Sequence, residues 1–136
     1  MVYRILVPID GSEYAYKALD WALNLAEMYS ADIELVTVIP TVYAFFGLSE
    51  KDVQERAELI LKETLNKTKT SKPNLTISTK ILVGRPAEKI VEASKEGNFD
   101  LIVIGSRGLG GVTEFLLGSV ADRVADLAQC PVVIVK

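Results

Sequence analysis

The stretch Gly105-Ser106-Arg107-Gly108-Leu109-Gly110-Gly111-Val112-Thr113-Glu114-Phe115-Leu116-Leu117-Gly118-Ser119 decides how the rest of the chain is read. It follows an apolar run, Leu101 to Ile104, and precedes a segment with helical spacing, Val120 to Ala128. Glycines therefore cluster where a strand hands over to a helix, at the strand's carboxyl end, which is where open α/β sheets bind ligands. Glycine lets the backbone turn with positive φ and come close to a bound group. A helix starting at Ser119 aims free N–H groups and the positive end of its dipole at the same place. Together these features make an anion site suited to phosphate; the plainer alternative is a flexible glycine loop.

Outward from that stretch, apolar runs and helical stripes alternate. Val2 to Ile9 is nearly continuous in apolar residues and reads as a strand buried on both faces, with pairing ending near Pro8. Asp10-Gly11-Ser12 is turn chemistry, with Ser12 as N-cap of a helix running to about Tyr29. That helix buries Ala15, Ala18, Leu19, Ala22, Leu25, Ala26 and Tyr29, with Trp21 packing at the border. Ile33 to Ile39 is the second strand, ended by Pro40. Thr41 to Leu48 carries Tyr43, Phe45 and Phe46, and reads either as an aromatic cover for the core edge or as a lid or side wall of a ligand site.

Ser49 and Asp52 resemble a capping box for a helix reaching about Lys69, with Val53, Ala57, Ile60, Leu61 and Leu65 inward. Leu75 to Val83 alternates in polarity, as an edge strand does. Pro86 opens a short helix ended by Gly97-Asn98. The last strand is Val132 to Val135. Five strands alternating with four helices predict a single doubly wound α/β domain over residues 1–136, with a five-stranded parallel sheet and helices on both faces.

Composition bounds the function. The 136 residues suit one domain, 49% are hydrophobic, and the net charge of −3 argues against nucleic-acid binding. One cysteine, Cys130, excludes a disulfide framework and reads as a small buried residue. The apolar run near the N-terminus is too short for a leader or a membrane span, so the cytoplasm is the expected compartment. The sequence has no histidine, which removes the usual triads and most zinc sites. No catalytic residue is assigned. The Walker A lysine is missing before Ser119, and the G-x-G-x-x-G pattern read from Gly108 fails at Thr113.

The spacing Gly105-x2-Gly108-x9-Gly118-Ser119 resembles the nucleotide-binding signature of the universal stress protein family. The likeness extends to Ile5-Leu6-Val7-Pro8-Ile9-Asp10-Gly11-Ser12, Val83-Gly84-Arg85-Pro86-Ala87, Asp100 to Gly105 and Cys130 to Val135. It implies the strand order 3-2-1-4-5, which makes the first and fourth strands neighbours. The competing order 2-1-3-4-5 belongs to folds whose phospho-acceptor members need an acid after strand three, where this chain has Gly84.

The resemblance implies an ATP-binding stress-response or regulatory protein. The nucleoside lies at Pro8, Asp10 and Gly11, and the Val38 backbone meets adenine. The phosphates lie on backbone N–H groups from Gly105 through Arg107 to Gly108 and at Gly118, Ser119 and Val120. It implies ATP, alone or with Mg2+ reached from Asp10 through water, and little or no hydrolysis. It also implies a homodimer through residues 132–135, whose apolar outer edge calls for cover. Family members that bind no nucleotide, and serve as dimeric interaction modules, typically lack the glycine spacing. Adenylating hydrolases carry a Ser-Gly-Gly-x-Asp-Ser type loop after strand one, which Pro8 to Ser12 is not. One departure concerns the stretch between Gly108 and Gly118, where the family often places a basic residue. Its only charge here is Glu114, which leaves Arg107 as the motif's cation. The loop 109–117 is expected to order on ligand binding.

Overall fold

Strand β1 (Arg4–Pro8) lies at the centre of the sheet, and its burial sets the architecture. In the computed structural model, which describes residues 2–109 and 117–136, β1 is followed by α1 (Glu13–Tyr29), β2 (Asp32–Pro40), a 3₁₀ turn (Thr41–Phe46) and α2 (Glu50–Ser71). The chain continues through β3 (Ile77–Gly84), α3 (Pro86–Glu96), β4 (Leu101–Gly105), α4 (Ser119–Leu127) and β5 (Val132–Val135). The five strands are parallel in the order β3-β2-β1-β4-β5, as the resemblance implied. Pro8 is the last residue of β1 in register with β2, opposite Val36; one further bond, Ile9 N–H to Val36 O at 2.7 Å, closes the ladder.

Because side chains alternate along a strand, each apolar run is shared between two layers. Ile5, Val7, Ile33, Leu35 and Val103 pack under α1 and α2, while Leu6, Val36, Ile102 and Ile104 pack under α3 and α4. Full burial of each such side chain is worth about 1.5–3 kcal/mol. Ala15, Ala18, Ala22 and Ala26 give α1 a thin buried face, so it lies close on the sheet. The Ser12 hydroxyl caps α1 by accepting from Ala15 N–H at 3.2 Å, and Ser49 caps α2 by accepting from Asp52 N–H at 3.1 Å. Arg123 Nε donates to Glu88 Oε1 at 2.5 Å, tying α4 to α3, and this guanidinium holds the Glu88 carboxyl below its usual range.

At the opposite end of the sheet from the glycine stretch, one carboxylate fixes two strands. Asp100 accepts from Tyr3 N–H at 2.8 Å and from Arg4 N–H at 2.9 Å, and its own N–H donates to Arg4 O at 2.9 Å. The Arg4 guanidinium lies 4.3 Å from the Phe99 ring centroid and donates to Gly97 O.

Several local expectations are corrected. The buried stripe of α2 is completed by Thr64 and Thr68 rather than by Val53. Their hydroxyls donate to Ile60 O and Thr64 O, each at 2.7 Å, so polar residues sit in the core fully satisfied. Trp21 is 57% exposed because its helical phase points it well away from the buried face of α1, and Tyr29, the last residue of that helix, is 43% exposed. The aromatic segment after β2 covers no core edge: the 3₁₀ turn buries none of its residues, and Phe45 is 87% exposed. The end of β2 is already closed by Ile39 and by the Thr37 hydroxyl, which donates to Ile9 O at 2.8 Å.

Candidate ligand-binding site

The adjacent strands β1 and β4 send their chains to opposite faces of the sheet, one into α1 and the other towards α4, and a crevice opens between them. On the β1 side, Asp10 Oδ1 accepts from Ser12 N–H at 2.9 Å, and Gly11 supplies the positive φ of +84° that the turn needs. The second oxygen, Oδ2, faces the β4 side so closely that a Cβ added to Gly108 would lie 2.8 Å from it. Asp10 and Gly108 therefore meet across the crevice although they are far apart in sequence.

On the β4 side, two glycines are fixed by close approach. A Cβ on Gly105 would lie 2.7 Å from the backbone carbon and oxygen of Tyr14, so the first turn of α1 can seat against the end of β4 only over a glycine. Gly118 N–H donates to Ser106 O at 2.7 Å, and a Cβ there would lie 2.9 Å from that oxygen and 3.1 Å from Arg107 Cα. The two ends of the glycine stretch are thus pinned together, with α4 starting beside them. The first helical bond of α4 runs from Asp122 N–H to Gly118 O, so the N–H groups of Ser119, Val120 and Ala121 have no partner within the helix. All three residues line the crevice.

The crevice is a cavity of about 500 Å³, within the range of small-molecule sites. Val36 and Val38 of β2, Pro86 and Ile90 of α3, and Ile104 form an apolar slot. Asp10, Gly105, Arg107, Gly108, Gly118 and Ser119 form a polar end. An apolar slot that opens onto helix N–H groups, glycine backbone and one cation can take a flat apolar ring at one end and an anion at the other.

Of the residues singled out from sequence, Pro8, Asp10, Val38, Gly105, Arg107, Gly108, Gly118, Ser119 and Val120 all line this cavity. Gly11 does not; it turns the chain beneath α2, where a Cβ would touch Ile60 Cδ1 at 3.4 Å. Glu114 and the greater part of the loop 109–117 fall outside the described residues. Sequence reading missed the α3 wall, Pro86 and Ile90. Ile90 belongs to the core under α3, and only the strand order shows that its inward side also faces the crevice. No residue of the aromatic segment 41–48 lines the cavity, so it is not a wall of this site.

Among the described residues, no group of three or more acids, histidines or cysteines is placed to hold a metal, and no helix is long and apolar enough to cross a membrane. Cys130 is half-buried, and burial pushes its thiol up from the ordinary range, outweighing the opposing Ser94 hydrogen bond. It stays protonated near neutrality and is a poor nucleophile.

Comparison with known proteins agrees with this fold. The family model described as "Universal stress protein family" matches residues 1–136. A universal stress protein of Methanocaldococcus jannaschii, MJ0531, is 37% identical over 98% of this chain and 81% of its own length. A solved universal stress protein in complex with cAMP superposes with a TM-score of 0.77 at 27% identity, covering 99% of this chain and 97% of that one. A universal stress protein from Archaeoglobus fulgidus in complex with dAMP gives 0.72 at 26% identity, with both chains covered in full (100%).

Proposed function

The chain belongs to the universal stress protein family, and from that premise we propose that it is a cytoplasmic stress-response regulator that holds ATP, alone or with Mg2+, between β1 and β4. One observation carries the reading: the apolar slot and the first turn of α4, whose N–H groups have no partner within the helix, share a single cavity of about 500 Å³. The cAMP and dAMP complexes of two relatives favour an adenine nucleotide. Adenine lies in the slot between Val36, Val38 and Ile90, with the Val38 backbone at its edge. Asp10 Oδ2 accepts from the ribose hydroxyls or holds a water of Mg2+. The phosphates take the N–H groups of residues 105–108 and 118–120, with the Ser119 hydroxyl and Arg107 beside them.

The same chemistry argues for a binder rather than a fast hydrolase. Efficient phosphoryl transfer needs a positioned nucleophile and stabilised developing charge. The described lining offers Asp10 as its one carboxylate, already committed to Ser12 N–H, and Arg107 as its one cation. Calorimetry with ATP, with and without Mg2+, is expected to give saturable one-to-one binding, and mass spectrometry is expected to recover the nucleotide intact. A turnover of about 1 per second or more would contradict the binder reading. If no adenine nucleotide binds in either condition, the nucleotide-free interaction module takes its place.

The other part of the proposal is a homodimer. β5 is the outer edge of the sheet, and its Val132, Val133 and Ile134 are only partly buried. An apolar edge of this kind calls for cover, and a two-fold partner offering the same strand supplies it. Sedimentation equilibrium is expected to give twice the chain mass. A mass that stays monomeric across the accessible concentration range would count against it.

A further inference from the structure

We propose that Tyr14 is a positioning residue for the phosphate end of the cavity, acting by holding Arg107 at the rim; the inference rests on the nucleotide reading above. Arg107 is the only cationic residue among those described as lining the cavity. Its Nη1 donates to the Tyr14 hydroxyl at 3.2 Å, and its guanidinium carbon lies 5.5 Å from the centroid of the same ring. Both the polar tip and the π face of Tyr14 thus bear on one guanidinium, within the range of a cation–π contact.

The root of the Tyr14 side chain is held by close packing. The backbone of Tyr14 lies against Gly105, where even a methyl group would sit 2.7 Å from its carbonyl carbon and oxygen. Gly105 also belongs to the phosphate cradle. The distance from cradle to ring is therefore set by backbone packing, and the ring in turn sets where the guanidinium rests. A free arginine loses about 2 kcal/mol of rotamer entropy when it is immobilised. An arginine already resting on an anchored ring has lost part of that freedom before a ligand arrives. Tyr14 itself is not among the cavity's lining residues, so it acts on a ligand through Arg107.

The role separates cleanly from adenine recognition, because the slot of Val36, Val38 and Ile90 is formed by other elements. The test compares ATP with adenosine by calorimetry on the full chain. In Tyr14→Leu, ATP affinity is expected to fall about fivefold, with adenosine affinity unchanged. Tyr14→Phe, which keeps the ring, should recover part of the loss. In an Arg107→Gln background, Tyr14→Leu should have no further effect. An unchanged or tighter ATP constant in Tyr14→Leu overturns the proposal, as does an equal loss for ATP and adenosine, which marks a merely structural role. Additive losses in the double variant also overturn it. If wild type binds neither ligand, the nucleotide reading falls and this inference with it, whereas wild-type ATP binding that is insensitive to Tyr14 removes this inference alone.

Discussion

Gly105→Ala is expected to destabilise the fold by about 3 kcal/mol, and Gly105→Val by at least as much. The reason is the first carbon. A Cβ at this position would sit 2.7 Å from backbone atoms of Tyr14, and backbone cannot move aside as a side chain can. Relief requires α1 to lift from the end of β4, and the buried alanine face of α1 tolerates little separation. Strand propensity favours alanine and valine over glycine, so a propensity-based expectation has the opposite sign. Urea unfolding followed by circular dichroism measures the difference. Variants within about 1 kcal/mol of wild type would show that α1 adjusts freely, and the packing account of this glycine would be wrong.

The second large effect is expected at Gly118. Gly118→Val should lower ATP affinity by about a hundredfold or more, while adenosine affinity falls by less than about fivefold. A Cβ there drives Ser106 O and Arg107 Cα away from the start of α4, so the two halves of the proposed phosphate cradle separate. Loss of about two charge-assisted hydrogen bonds accounts for a change of that size. The apolar slot proposed for adenine, lined by β2 and α3, stays in place. The substitution also strains backbone, so an ATP constant by itself is ambiguous and the ratio between the two ligands is the informative quantity. Equal losses for both ligands, or none, would mean that the phosphates do not lie at this end.

Much of this was legible in the sequence, and particular residues show why. Pro8, Pro40 and Pro86 mark strand ends and a helix start because proline removes a backbone donor and fixes φ, whatever the tertiary context. The central strands were legible because Ile5 to Val7 and Leu101 to Ile104 are apolar without interruption, as two-sided burial demands. The glycines at the polar end of the cavity were legible because close backbone approach admits only glycine. The α3 wall was not, because Ile90 serves the core and the crevice with one side chain. Thr64 and Thr68 were missed because a threonine that donates to its own helix has the packing behaviour of valine without its composition signal. Trp21 and Phe45 were misplaced because size and hydrophobicity do not fix direction: Trp21 points away from the buried face of α1, and the end of β2 is already closed without Phe45.

The placement of β1 also bears on how the chain is made. Its neighbours on the sheet are β2 and β4, and its amide groups at Tyr3 and Arg4 are satisfied by a carboxylate 97 and 96 residues further on. During synthesis, β1, α1 and β2 emerge together but with one flank of the central strand bare. That flank stays an open template until Asp100 and β4 clear the ribosome tunnel, about 5–20 s later at usual elongation rates. Long-range pairings of this kind make folding slow and leave apolar strands accessible while it waits. Until then the apolar strands β1 and β2 share an exposed flank of the kind that chaperones bind, and the two core layers close only once β4 and β5 are free of the ribosome.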